Sequence, residues 1–184
     1  MPYFKVYIAL AALTFSNISG AESPLSFSQG EELFRTAGGY GCSTCHGLFA
    51  TGSGNVGGNI RGKTLKEINT VLDTEPTMKL LSEALDEQDR QLLALYLGDL
   101  GGIPSIEWVI EDKPTTLTVS IEQGKESELV VFNKVLQTLS LSLPNISTDP
   151  LTINPYETKA IRWVPEIGQI QLSYQQNILD IEIK

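Results

Sequence analysis

Residues 98–105, Gly98-Asp99-Leu100-Gly101-Gly102-Ile103-Pro104-Ser105, divide the chain into two stretches of different grammar. Before them, apolar residues recur at helical spacing between Gly-rich loops. After them, apolar and polar residues alternate, or β-branched residues run together, in short segments bounded by Pro, Gly, Asn or Asp. A Gly- and Pro-rich junction between two such patterns suits a linker, and 184 residues suffice for two small domains. The expected fold class is therefore α + β with two domains, a helical one over 22–102 and a small antiparallel β-sandwich over 103–184.

Working back from the junction, Asp86 to Leu97 carries Leu92, Leu93, Tyr96 and Leu97 on one face, with Asp86, Glu87 and Asp89 placed to meet a helix N-terminal dipole. Gly98 and the Gly101-Gly102 pair are expected to stop it. Thr64 and Glu67 spell a capping box that opens Thr64 to Leu72. A first helix is expected with Ser28 as N-cap, Phe27 as staple, Leu33 and Phe34 facing inward and Gly38-Gly39 at its end. Still earlier, Lys5 precedes an apolar run from Val6 to about Phe15 and then Ser19-Gly20-Ala21, the form of a signal peptide cut after Ala21. The expectation is export to the periplasm. No later stretch is apolar enough for a membrane span.

Between the first two helices lies "GYGCSTCHGLF", residues 39–49, which holds both cysteines and the only histidine of the chain. Cys42, Cys45 and His46 read C-x-x-C-H, the spacing of covalent attachment to a c-type haem. Cys42 and Cys45 would form the thioethers and His46 would be an axial iron ligand. A zinc site needs about four ligands and finds three here, and a thioredoxin-like dithiol wants a βαβ setting that this stretch lacks. Met78 is the only methionine apart from Met1, and it sits in the loop "TEPTMKLLSE" as a candidate second axial ligand. Gly52, Gly54 and Gly57 spell G-x-G-x-x-G, but no strand precedes them, so a dinucleotide site is rejected. Arg61 and Lys63 are read as propionate partners or solvated cations.

On "GEELF", "CSTCHG", the later methionine and "LSEALDEQDRQLLALYL", residues 26–100 resemble a class I cytochrome c domain. The resemblance implies one covalently attached haem c, with Cys42, Cys45, His46 and Met78 in the roles above, and Gly30 and Phe34 packed against Tyr96 and Leu97. Relatives commonly carry a proline after the motif whose carbonyl orients the histidine. Here 54–62 has none, so a backbone carbonyl of that loop is expected to serve.

On the other side of the junction, "TTLTVSI", "ELVVFN", "QTLSLSL", "KAIRWV", "GQIQLSY" and "ILDIEI" read as strands, with Trp163 and Phe132 as core aromatics. The stretches "LTVSIEQGKESELVVFNK" and "NPYETKAIRWVPEIGQIQLSY" resemble a cupredoxin-like sandwich. A blue-copper centre needs two histidines and a cysteine, and residues 103–184 contain no His, Cys or Met; Tyr174 and Gln175 stand where the family's cysteine would fall. Glu126 and Glu128 are read as a solvated strand face.

With 13 basic and 22 acidic residues the chain is acidic, and loss of Lys5 with the leader makes it about −10. Nucleic acid is excluded as a partner, and a redox protein with a basic docking surface suits the charge. The functional expectation is a one-electron carrier, or an electron-transfer subunit of an oxidoreductase complex, and not an independent enzyme. The alternative is a haem-based sensor or ligand-binding protein with a displaceable sixth position.

Overall fold

A computed structural model describes residues 26–52, 56–166 and 168–184. The leader expected over 1–21 lies outside the described residues. All helices precede all strands: α1 (Phe27–Thr36), α2 (Ser43–His46), α3 (Leu65–Thr74) and α4 (Glu87–Gly101), then β1 (Ser105–Ile110), β2 (Thr115–Ile121), β3 (Ser127–Asn133), β4 (Leu139–Leu141), β5 (Leu151–Ile153), β6 (Thr158–Trp163), β7 (Gly168–Tyr174) and β8 (Asn177–Ile183). Among the described residues, no helix is long and apolar enough to cross a membrane.

The helix starts follow from local chemistry. Thr64 and Asp86 cap α3 and α4, each with a reciprocal bond from the residue three along, Glu67 and Asp89. The first helix is capped by Ser26 with Gln29, not by Ser28. Phe27 thereby becomes a helical residue, and its ring packs on Tyr96 at 5.0 Å between centroids. Phe34 reaches the same ring at 5.3 Å. Gly30 makes this crossing of α1 and α4 close: a Cβ there would lie 2.5 Å from the Leu92 carbonyl oxygen and 2.7 Å from Tyr96 Cβ. Phe34, Leu72, Leu81, Leu85, Leu93 and Leu97 belong to the core of this helical part.

The β part is mixed rather than purely antiparallel. One sheet has the order β1-β3-β6 and the other β2-β8-β7, with β4-β5 as a separate pair. β1 runs parallel to β3 and β2 parallel to β8, whereas β3–β6, β7–β8 and β4–β5 are antiparallel. Alternation along a strand reports which residues face a core, and it carries no information on the direction of the neighbouring strand. The inward sets Ile106, Trp108 and Ile110 of β1, Leu129 and Val131 of β3, and Leu179, Ile181 and Ile183 of β8 share one core. Trp163 is buried as expected, but Phe132 is only half-buried under the Lys134 ammonium, and the fully enclosed aromatic is Trp108. The chain is thus α + β, with a helical part and a β part of two three-stranded sheets and one two-stranded pair.

One buried ion cluster joins the two parts. Arg61 Nη1 donates to Glu128 Oε2 at 2.5 Å, and Arg162 Nε donates to Glu128 Oε1 at 2.9 Å. The side chains of Arg61 and Glu128 are 5% and 3% exposed. Glu128 is therefore no member of a solvated face, since β3 is covered on both sides along most of its length. Arg61 is equally unavailable to a ligand.

A candidate metal-handling cleft

The short helix α2 carries the candidate motif. Its turn is closed by the His46 N–H donating to the Cys42 carbonyl at 2.9 Å. This places Cys42 inside, 8% exposed in the helical core, and Cys45 outside. Burial, aided by the charge of Cys45 nearby and opposed by a backbone hydrogen bond, pushes the Cys42 thiol up to about 11.

His46 is half-buried, and its Nδ1 lies 2.8 Å from the Gly58 carbonyl oxygen. A carbonyl only accepts, so Nδ1 carries the hydrogen, which in a neutral imidazole leaves the lone pair at Nε2. The expected orienting carbonyl of loop 54–62 is thus that of Gly58. The loop reaches the ring because of Gly57, whose N–H donates to the Cys45 carbonyl at 2.7 Å. A Cβ on Gly57 would stand 2.6 Å from both Cys45 O and His46 Nδ1. The G-x-G-x-x-G spelling therefore serves the imidazole through its last glycine. Gly54 lies outside the described residues.

Met78 enters from the opposite segment, at the start of a 3₁₀ turn over Lys79–Leu81, and is half-buried against the helical core. Two adjoining cavities, of about 90 and 560 Å³, share Cys42, His46, Val71, Met78 and Leu81. The larger is also lined by Cys45. The structure thus brings Cys42, Cys45, His46 and Met78 to one cleft with largely apolar walls. Lys63 pairs with Glu67 at 2.6 Å. That ammonium, with the Thr64 N–H and hydroxyl, holds the Glu67 carboxyl down to about 2. What the sequence did not disclose is the role of Arg61, read there as a propionate partner or solvated cation: its fork donates to the carbonyls of Phe49, Leu100 and Ile103 as well as to Glu128, fixing the loop that orients His46.

No protein-family model matches the chain, and no curated protein does. Among solved structures it is similar to a copper binding protein in its apo form, at 12% identity and a TM-score of 0.37 over 45% of this chain and 89% of that one. It is similar to the metal binding domain of the Cu(I)-exporting P-type ATPase CopA of Streptococcus pneumoniae D39, at 11% identity and 0.32 over 44% and 95%. It is also similar to a multicopper oxidase from Campylobacter jejuni, at 13% identity and 0.34 over 44% and 25%.

These findings correct two expectations. Among the described residues no group of three or more His, Cys, Asp or Glu is placed to hold a metal ion. The class I cytochrome c resemblance and its covalent haem c are withdrawn on that basis. The physical reason is that a five-residue spelling fixes the order of three side chains along the chain, not what they bind.

Proposed function

We propose that the protein handles a redox-active metal at the cleft of Cys42, Cys45, His46 and Met78 and passes single electrons through it, as a carrier or as a subunit of an oxidoreductase complex. The observation that carries this reading is convergence. Both cysteines, the one histidine and the one methionine beyond Met1 line a single cleft. The metal donors are His46 and Met78, a pair that needs no group of three His, Cys, Asp or Glu: imidazole nitrogen with thioether sulfur suits soft and borderline transition metals, not magnesium or calcium.

His46 and Met78 are assigned to the metal, and Cys42 and Cys45 to anchoring. When bound, the metal supplies two oxidation states one electron apart. The chain does the rest. Gly58 holds the Nδ1 proton so that Nε2 is presented as a donor. Met78 offers a neutral sulfur whose donor character does not change with pH. Leu81, buried in the helical core, gives the cleft an apolar wall beside Met78. The β part, having no His, Cys or Met after residue 102, adds no such donor.

The test is metal analysis and redox titration of the purified full chain and of His46→Ala and Met78→Leu. The account expects bound metal in the parent protein, its loss with His46→Ala, and a changed optical spectrum with Met78→Leu. Equal metal content in all three would refute it.

A further inference from the structure

We infer that Glu128, on β3 of the β part, is a positioning residue for His46, so that the β part supplies the counter-charge that holds the metal-facing loop in place. The inference rests on the proposed role of His46, yet its geometry is independent of any bound group.

The chain of contacts is short. The Gly58 carbonyl fixes the His46 ring. Three residues on, Arg61 threads between the two parts, where its Nε donates to Leu100 O at 3.0 Å, Nη2 to Ile103 O at 3.0 Å and Nη1 to Phe49 O at 3.3 Å. The loop is pinned on either side by Ile60 N–H to Ala50 O at 2.9 Å and by Gly62 N–H to Leu97 O at 2.6 Å. All of Arg61's other side-chain acceptors are neutral carbonyls. Among the described residues, the carboxylate that neutralises this buried guanidinium is Glu128.

A buried cation that loses its counter-charge moves toward water, because desolvation is no longer offset. Arg61 cannot do so without dragging the backbone that carries Gly58. Removal of Glu128 is therefore expected to reach His46 through the loop, although the two side chains belong to different parts of the fold. Arg162 is the internal control: it touches the same carboxylate from the outside, is 37% exposed, and among the described residues donates to Glu128 and not to the carbonyls that hold Arg61.

Because the chain has one histidine, its imidazole nitrogens give an unambiguous pair of signals in ¹⁵N-labelled full-length protein without metal. With Glu128→Gln the expected result is a shift away from the Nδ1–H tautomer and roughly tenfold faster hydrogen exchange at the Gly57 and Ile60 amides. Arg162→Ala should leave both unchanged. If Glu128→Gln does not fold, Arg61→Lys, which keeps the cation but loses the fork to three carbonyls, carries the same expectation. Unchanged imidazole signals in the folded variant, or equal changes in Arg162→Ala, would overturn the inference. Neither result bears on metal binding by the parent protein, and a parent protein that binds no metal would sink the proposed function while leaving this coupling intact.

Discussion

At the scale of single residues, the cleft depends on an atom that is missing. Gly57 leaves room for the His46 ring and for the bond from Nδ1 to Gly58. Gly57→Ala is expected to cost about 1–3 kcal/mol, the usual range for overpacking. It should also disturb the tautomer, which thermal unfolding and imidazole NMR would register together. Cys42, Cys45, His46 and Met78 were all legible in the sequence as one constellation, because rare residue types at fixed spacing stand out. What they hold was not legible, and there the haem expectation failed. Arg61 was named, but as a propionate partner or solvated cation, and its structural role was not legible for a different reason. Its partners lie at residues 49, 100, 103 and 128, and no local pattern announces contacts across such separations.

At the scale of elements, the capping box of α3 was readable because three-residue spacing is itself local, whereas Asp86 and Asp89, read only as partners of the helix dipole, form the capping box of α4. Asp86→Ala should destabilise the protein by about 1 kcal/mol, as for loss of an ordinary N-cap, measurable by denaturant unfolding. Glu67 adds a pH dependence with a definite sign. Its folded-state value is lowered to about 2 from 4.5, so its contribution is fully present above about pH 4.5 and disappears as pH falls toward 2. The melting temperature of Glu67→Gln should therefore lie below the parent's at neutral pH and converge with it in acid. Helix α4 overran its expected end at Leu97 because Gly98 and Gly101 lie within the helix. Gly101 is a packing residue: a Cβ there would collide with Gly62 on the site loop. Strand β1 was passed over although Ile106, Trp108 and Ile110 alternate clearly inward. It begins inside the stretch taken for a linker, where Gly and Pro outweighed the alternation that follows.

At the scale of the whole molecule, the division into helices and strands was legible and the way the two parts meet was not. Glu128 looked like half of a solvated pair, whereas the fold buries it between Arg61 and Arg162. Glu128→Ala leaves Arg61 charged and enclosed, which typically costs about 3–5 kcal/mol; urea denaturation should show a loss of that order, and a change under 1 kcal/mol would mean the cluster behaves as a surface pair. The acidic balance of 13 basic to 22 acidic residues makes a second expectation. Electron exchange with a basic redox partner should slow as ionic strength rises, as steering is screened. Stopped-flow rates flat in salt would remove steering from the account.

The most direct test of the central claim is metal quantification joined to a spectroelectrochemical titration of the full chain, alongside His46→Ala. The account predicts one metal per chain that cycles reversibly by a single electron, and its loss when the imidazole is removed. A parent protein without metal, a metal that does not change oxidation state, or undiminished metal in His46→Ala would contradict it.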